Sequence, residues 1–370
     1  MTPVEVAVRG AIGRRGPIPF DEVVAAALYS PDGGFYTGEG RAGRRGDFVT
    51  SAEVGPLFGT LVGRALDDWW IEAGRPDVFV VVEAGAGPGT LAASILASKP
   101  ACSQALRYVL VETSPAQRAM HGSRLNLEDP MSAFPSLTEP DEDGRAPAVA
   151  PPSGPIVVSA PELPRLPGSS FVIANELLDN LPFGLAEMAD DGWQEVLVGV
   201  EGDELVEVLV PLDPGRAGSL PADVAPGSRA PLQAAASSWV RDALDAAGPG
   251  GRVLAIDYAA TTAELCSRPW TEWVRTYRQH QRGGHPLNEL GSHDITCEVA
   301  VDQLPPPTSQ RSQADWLGSL GIDELVAEGR RIWNERAAIG DLAALRARSR
   351  VNEAAALLDG AGLGAFQVLE

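Results

Sequence analysis

The sequence predicts an α/β protein built on a mostly parallel sheet with helices on both faces. Three observations carry that expectation. Short apolar, β-branched runs alternate with helical segments between Val78 and Ile256. The first run, Val78-Phe79-Val80-Val81-Val82, is continuous rather than alternating, as in a strand buried on both faces. A glycine-rich turn follows it and opens a helix, the order of a parallel α/β unit.

The elements follow in order. The N-terminal region reads as helix up to the turn Pro31-Asp32-Gly33-Gly34. From Val54 to Trp70 apolar residues recur at helical spacing, and Thr50 with Glu53 fits a capping box, so that helix should begin near Ser51. After the first strand come a helix at Thr90–Ala97, a strand at Tyr108–Val111 and a helix after Pro115. Ile156–Val158 and Phe171–Ala174 read as the third and fourth strands. A helix at Leu232–Ala247 leads into a fifth at Val253–Ile256. Trp193–Val210 reads as an inserted antiparallel hairpin, and Thr271–Val301 as polar and poorly periodic. The Pro-rich stretches Asp129–Pro155 and Pro211–Pro231 and the break at Pro305–Pro307 read as surface connections. The expected organisation is an N-terminal helical extension, residues 1–75, closing a cofactor site. A core at 76–370 follows, with insertions at about 183–230 and 260–304.

Composition removes several function classes. The 370 residues carry 29 Lys+Arg against 50 Asp+Glu, a net charge of −21, which opposes tight binding to nucleic acid or an anionic membrane. Lys99 is the single lysine and precedes Pro100, so a phosphate-binding Gly-Lys-Ser/Thr loop is excluded and Schiff-base chemistry has no suitable residue. The cysteines Cys102, Cys266 and Cys297 are odd in number and widely spaced, which predicts a reducing, cytoplasmic setting. No run of 18 apolar residues predicts membrane insertion. His280, His285, His293 and Cys297 lack the spacing of a zinc site, so no metal is expected.

The turn is Glu83-Ala84-Gly85-Ala86-Gly87-Pro88-Gly89-Thr90. Its glycines let the backbone approach a ligand and the helix start close to the strand. Glu112 ends the next strand, where an acid can accept both ribose hydroxyls of an adenosyl group. A dinucleotide or S-adenosyl-L-methionine could fit. The dinucleotide pattern wants its third glycine one residue later, and Pro88 removes a backbone donor that a phosphate would use. An acid such as Glu83 before the first glycine suits an ammonium group better. The residues therefore favour S-adenosyl-L-methionine, held by Glu83, Gly85, Ala86, Gly87, Gly89, Glu112 and Thr113.

Methyl transfer mainly requires that the acceptor be positioned, and a guanidinium acceptor would need carboxylates at the C-terminal end of a strand near the turn. Glu176 and Asp179 follow the fourth strand, and Asn175 could orient the substrate or the methionine moiety.

At this point the chain resembles the MidA / mitochondrial complex I assembly factor 7 methyltransferases. The motifs are Ser30-Pro31-Asp32-Gly33-Gly34-Phe35-Tyr36, Gly46-Asp47-Phe48-Val49-Thr50-Ser51-Ala52-Glu53 and Phe58-Gly59. The glycine turn and Val111-Glu112-Thr113-Ser114-Pro115 follow. Then come Ala174-Asn175-Glu176-Leu177-Leu178-Asp179-Asn180-Leu181-Pro182, Trp193-Gln194-Glu195-Val196, Thr276-Tyr277-Arg278-Gln279-His280 and Asp294-Ile295-Thr296. The chain departs from the family at Cys297-Glu298-Val299-Ala300. The resemblance implies a class I, Rossmann-like methyltransferase fold with added N-terminal helices. It also implies methylation of an arginine on a partner protein, a complex I subunit in mitochondrial members. No presequence is read, so it implies a bacterial member, with a homodimer as one allowed state. It supports Gly46, Asp47, Thr50 and Ser51 as a helix N-terminus facing the cofactor carboxylate. Tyr277 and His280 are candidates to line the substrate cleft. Rival readings are a small-molecule methyltransferase and a non-catalytic assembly factor that keeps the cofactor.

Overall fold

The computed structural model describes residues 1–37, 50–130, 153–164, 168–278, 281–339 and 341–370. The chain divides into two units. One comprises Met1–Phe48, Glu176–Asp242 and Asp257–Pro307, and the other Val49–Asn175, Ala243–Ile256 and Thr308–Glu370. The 1–75 extension expected from sequence therefore splits between them.

The first unit begins with helix α1 (Pro3–Arg15), capped by the Thr2 side chain on the Glu5 N–H, and helix α2 (Phe20–Tyr29). Their apolar faces, including Val4, Val8, Phe20 and Val24, are buried with Phe183, Val196 and Trp273. The expected hairpin forms, with Gly192–Glu201 antiparallel to Glu204–Pro211. It belongs to a five-stranded sheet that also takes in Ile18–Pro19, Gly184–Ala189 and Arg229–Leu232. The last strand begins inside the Pro211–Pro231 stretch read from sequence as loop and ends at Leu232, read as the first residue of the helix that starts at Ala234. The described residues of Thr271–Val301 also form strands not expected from sequence. Val274–Arg278 pairs antiparallel with both Gln281–Arg282 and Asp294–Cys297. Buried Val274, Thr276, Ile295 and Cys297 hold these strands, which are too short for periodicity to reveal.

The second unit holds the predicted sheet. Its strands are β1 (Phe79–Ala84), β2 (Leu106–Val111), β3 (Ile156–Ala160), β4 (Ser170–Asn175), β5 (Arg252–Asp257), β6 (Gln310–Ser312) and β7 (Gln367–Leu369). The order across the sheet is β6-β7-β5-β4-β1-β2-β3. β1 pairs parallel with β2 on one side and β4 on the other, and β5 pairs parallel with β4. Only β6 and β7, with three residues each, were not legible in sequence; they pair antiparallel. Sequence order reverses between β1 and β4, so the strand ends there form the crevice where such sheets bind ligands.

Helices α3 (Ser51–Val54) and α4 (Pro56–Glu72) replace the single helix expected from Ser51. The capping box does not form: Thr50 makes no side-chain cap bond. Gly55 interrupts the helix, and the carboxylate of Glu353 accepts the Leu57 N–H at 2.8 Å. A Cβ at Gly55 would fall 2.3 Å from that carboxyl carbon, so the cap comes from a residue distant in sequence. α4 buries Leu57, Phe58, Leu61, Leu66 and Trp69 in the core, and Trp69 stacks on Phe171 of β4 with centroids 5.4 Å apart. Burying side chains of this size stabilises by about 1.5–3 kcal/mol each. No helix among the described residues is long and apolar enough to cross a membrane.

Candidate active site

The glycine turn follows β1 and leads into helix α5 (Thr90–Ser98). Gly85, Gly87 and Gly89 have φ of 66°, 53° and 80°, a left-handed alternation that side chains resist. Ala86 anchors the turn to the sheet by donating its N–H to Val111 at 3.0 Å. Glu112 clamps it further: its carboxylate accepts the N–H of Gly87 at 2.9 Å and of Ser114 at 2.7 Å. Burial raises the Glu112 pKa, while these backbone donors oppose the shift. Thr113 is exposed, and its carbonyl accepts from Arg118.

Helix α6 (Pro115–Arg124) adds two residues that sequence reasoning missed. His121 is fully buried, with Nε2 2.8 Å from the Gly87 carbonyl and Nδ1 2.9 Å from the Ser159 hydroxyl. Since a carbonyl only accepts, Nε2 carries the proton and Nδ1 accepts from Ser159. Burial lowers the His121 pKa, favouring this neutral form. Gln117 is 6% exposed, and its Oε1 has no hydrogen-bond partner in the structure. That oxygen lies 3.7 Å from where a Gly87 Cβ would stand. A buried acceptor beside a glycine turn is satisfied by a donor-bearing ligand, and the space a side chain would fill is open. These residues fit an adenosyl cofactor. His121 and Gln117 left little trace in the sequence beyond their place just after Glu112.

Glu83 sits near the end of β1, beside the turn. It is 4% exposed, and its carboxyl accepts from the Tyr108 hydroxyl at 2.8 Å. Burial pushes its pKa up to about 8. Ser51 is likewise fully buried, donating its hydroxyl to Gln313 at 2.9 Å. Gly46, Asp47 and His280 lie outside the described residues.

The acids form their own cluster in the first unit. Glu176 follows β4 in the chain and has φ 53°, unusual for a residue with a side chain. Such local strain is concentrated at functional sites. Asp179 is 4% exposed; its Oδ2 accepts from the Tyr258 hydroxyl at 2.6 Å, and its Oδ1 is buried with no hydrogen-bond partner. Burial pushes its pKa up to about 6. Asp257 raises the charge density: desolvation, Asp179 and Glu176 all push its pKa well above the ordinary carboxylate range. Asp294 accepts from Tyr36 at 2.9 Å and from the Asn180 amide at 3.2 Å. Asp257 and Tyr258 were missed by sequence reasoning, although the rule that singled out Glu176, an acid at a strand end, also fits Asp257. Asn175 ends β4, and Tyr277 sits in the strand Val274–Arg278 opposite Asp294. A cavity of about 610 Å³, lined by residues including Arg9, Arg278, His285 and Glu289, shares no residue with the acid cluster. Among the described residues no group of His, Cys, Asp and Glu is placed to hold a metal ion.

Comparison with known proteins agrees with this geometry. Residues 61–320 match a family model described as S-adenosyl-L-methionine-dependent methyltransferase. The chain is 30% identical over 309 residues to the mitochondrial protein arginine methyltransferase NDUFAF7 homolog of Drosophila melanogaster, covering 79% of this chain and 67% of that protein. It is 28% identical over 332 residues to the Xenopus tropicalis NDUFAF7 protein, covering 83% and 73%. A Burkholderia thailandensis crystal structure bound to S-adenosyl-homocysteine superposes with a TM-score of 0.77 at 25% identity, over 99% of this chain and 90% of that one. With the class I strand order, the glycine turn and Glu112 on one side and these matches on the other, the chain belongs to the S-adenosyl-L-methionine-dependent methyltransferase family.

Proposed function

We propose that this methyltransferase modifies an arginine side chain of a partner protein. The observation that carries the reading is Asp179: a buried carboxyl with one oxygen held and the other lacking a donor. It lies three residues past Glu176, which itself follows β4. A guanidinium is a planar fork of N–H donors that matches carboxylates. The names of the relatives support the same acceptor.

In this reading Gly85, Gly87, Gly89, Glu112, Thr113, Ala86 and Gln117 hold the cofactor, and Glu83 and His121 brace the turn. Bound S-adenosyl-L-methionine supplies a methyl group made electrophilic by its sulfonium, which departs as a neutral thioether. Glu176 and Asp179 orient the guanidinium and compensate its charge. As the N–C bond forms and the C–S bond breaks, one N–H proton must leave the guanidinium. Asp179 Oδ1 takes it. A carboxyl titrating near 6 is suited to that role at neutral pH. Asn175 orients the methionine moiety, and Tyr277 lines the acceptor side. The resemblance extends the proposal to a respiratory complex I subunit as acceptor and to a homodimer.

The test is transfer from methyl-labelled S-adenosyl-L-methionine to proteins extracted from a strain lacking the gene, with the modified residue located by fragmentation. Label on arginine supports the reading. Label confined to lysine, a carboxylate or a small molecule overturns it.

A further inference from the structure

Two residues outside the assigned set converge on Asp179. Asp257 is 1% exposed, and its carboxylate ties together the backbone around the site. Oδ2 accepts the N–H of Leu178 at 2.9 Å and of Asp179 at 3.2 Å, and Oδ1 accepts the N–H of Tyr258 at 3.0 Å. One carboxyl thus fixes both the turn that carries Asp179 and the residue that grips its side chain. Tyr258 completes the loop by donating its hydroxyl to Asp179 Oδ2 at 2.6 Å.

We propose that Asp257 and Tyr258 are positioning residues for methyl transfer: they hold Asp179 so that Oδ2 is engaged and Oδ1 faces the acceptor. The proposal rests on the reading of Asp179 as the residue that meets the guanidinium. Three facts support the geometry over a purely structural bond. A structural network satisfies its members, yet Oδ1 is left without a donor. The arrangement gathers acids, with Asp179 and Glu176 both acting on Asp257, where a hydrophobic core would be cheaper. Its hydroxyl donor acts on the oxygen that would otherwise compete with Oδ1 for the substrate.

Among the described residues the charged and titratable groups around Asp179 are Tyr258, Asp257, Arg275, Tyr36 and Cys297, with Glu176 acting on Asp257 and Asp294 bonded to Tyr36. Arg275 lies over the Tyr258 ring at 5.4 Å and lowers the Asp179 pKa. Tyr36 and Cys297 each sense the Asp179 charge. The Tyr258 hydroxyl also lowers the Asp179 pKa. Its removal must therefore move the ionisation of Asp179 to higher pH.

The experiment uses Tyr258→Phe, which keeps the ring, with Asp257→Asn as a second variant. Transfer from labelled S-adenosyl-L-methionine to the hypomethylated extract is measured from pH 5 to pH 9, together with S-adenosyl-homocysteine affinity and melting temperature. The expected result for Tyr258→Phe is a fall in turnover of about tenfold or more. Its acid limb should move to higher pH, with cofactor affinity unchanged and melting a few degrees lower, because Asp179 Oδ2 loses its buried donor. Wild-type turnover and an unmoved acid limb in Tyr258→Phe, with arginine still labelled, would overturn the proposal and leave the arginine reading standing. No arginine label from the wild-type enzyme would overturn both. A carbon-13 titration of the Asp179 carboxyl decides the positioning on its own: its midpoint rises in Tyr258→Phe, and an unchanged midpoint contradicts the proposal.

Discussion

Replacing Gly87 separates the strain of the turn from its role in binding. Gly87 has φ 53°, and a Cβ there would meet only Gln117 Oε1, at an ordinary 3.7 Å. The cost of Gly87→Ala is therefore conformational, about 1–2 kcal/mol for a left-handed residue with a side chain. The turn could escape this only by rotating its peptides. That would break the Gly87 N–H bond to Glu112 and the His121 bond to the Gly87 carbonyl. Those bonds are worth roughly 1.5–3 and 0.5–1.5 kcal/mol, more than the strain, so the turn should hold its shape and melt a few degrees lower. Gly87→Val adds branching in the space open to a ligand and should destabilise more. Calorimetry with S-adenosyl-homocysteine should then show at least a tenfold weaker dissociation constant for Ala and no measurable binding for Val. Wild-type affinity in Gly87→Val, alongside a lowered melting temperature, would refute the turn as the cofactor site.

Three further outcomes follow from the same geometry. His121 is held neutral by burial, so its contribution to stability is present above about pH 6.5 and is lost as pH falls through its lowered folded pKa. His121→Phe should flatten the acid side of a melting-temperature profile while costing about 1–3 kcal/mol for the orphaned Gly87 carbonyl. Glu176→Gly relieves φ 53° and should leave stability unchanged or raise it by up to about 1 kcal/mol in denaturant unfolding, yet abolish methyl transfer. Glu353→Ala removes the acceptor of the Leu57 N–H and should lower stability by about 1.5–3 kcal/mol without changing S-adenosyl-homocysteine affinity.

The five parallel strands were legible because both faces of each are buried, which leaves unbroken apolar runs such as Val80–Val82 and Phe171–Ala174. The glycine turn and Glu112 were legible because backbone geometry demands glycine and the acid ends a strand. What failed was long-range. The Thr50–Glu53 capping box was locally plausible, but Glu353 supplied the cap instead. β6 and β7 are three residues each, too short for periodicity to announce, and β7 is set by pairing with β6 on one side and β5 on the other. The bond from the Tyr108 hydroxyl on the neighbouring strand to Glu83 could not be read from sequence either. Asp257 and Tyr258 were missed because their bonds to Asp179 span 78 and 79 residues of sequence.

The most direct measurement compares arginine methylation across the proteome of the source strain, its deletion mutant, and the mutant complemented with wild-type or Glu176→Gln protein. The account predicts a defined methylarginine that disappears on deletion and returns with the wild-type gene. With Glu176→Gln it should recover at a rate lower by about 10²-fold or more, comparable to losing a preorganised electrostatic partner. An unchanged methylarginine inventory on deletion, or full recovery with Glu176→Gln, would contradict it.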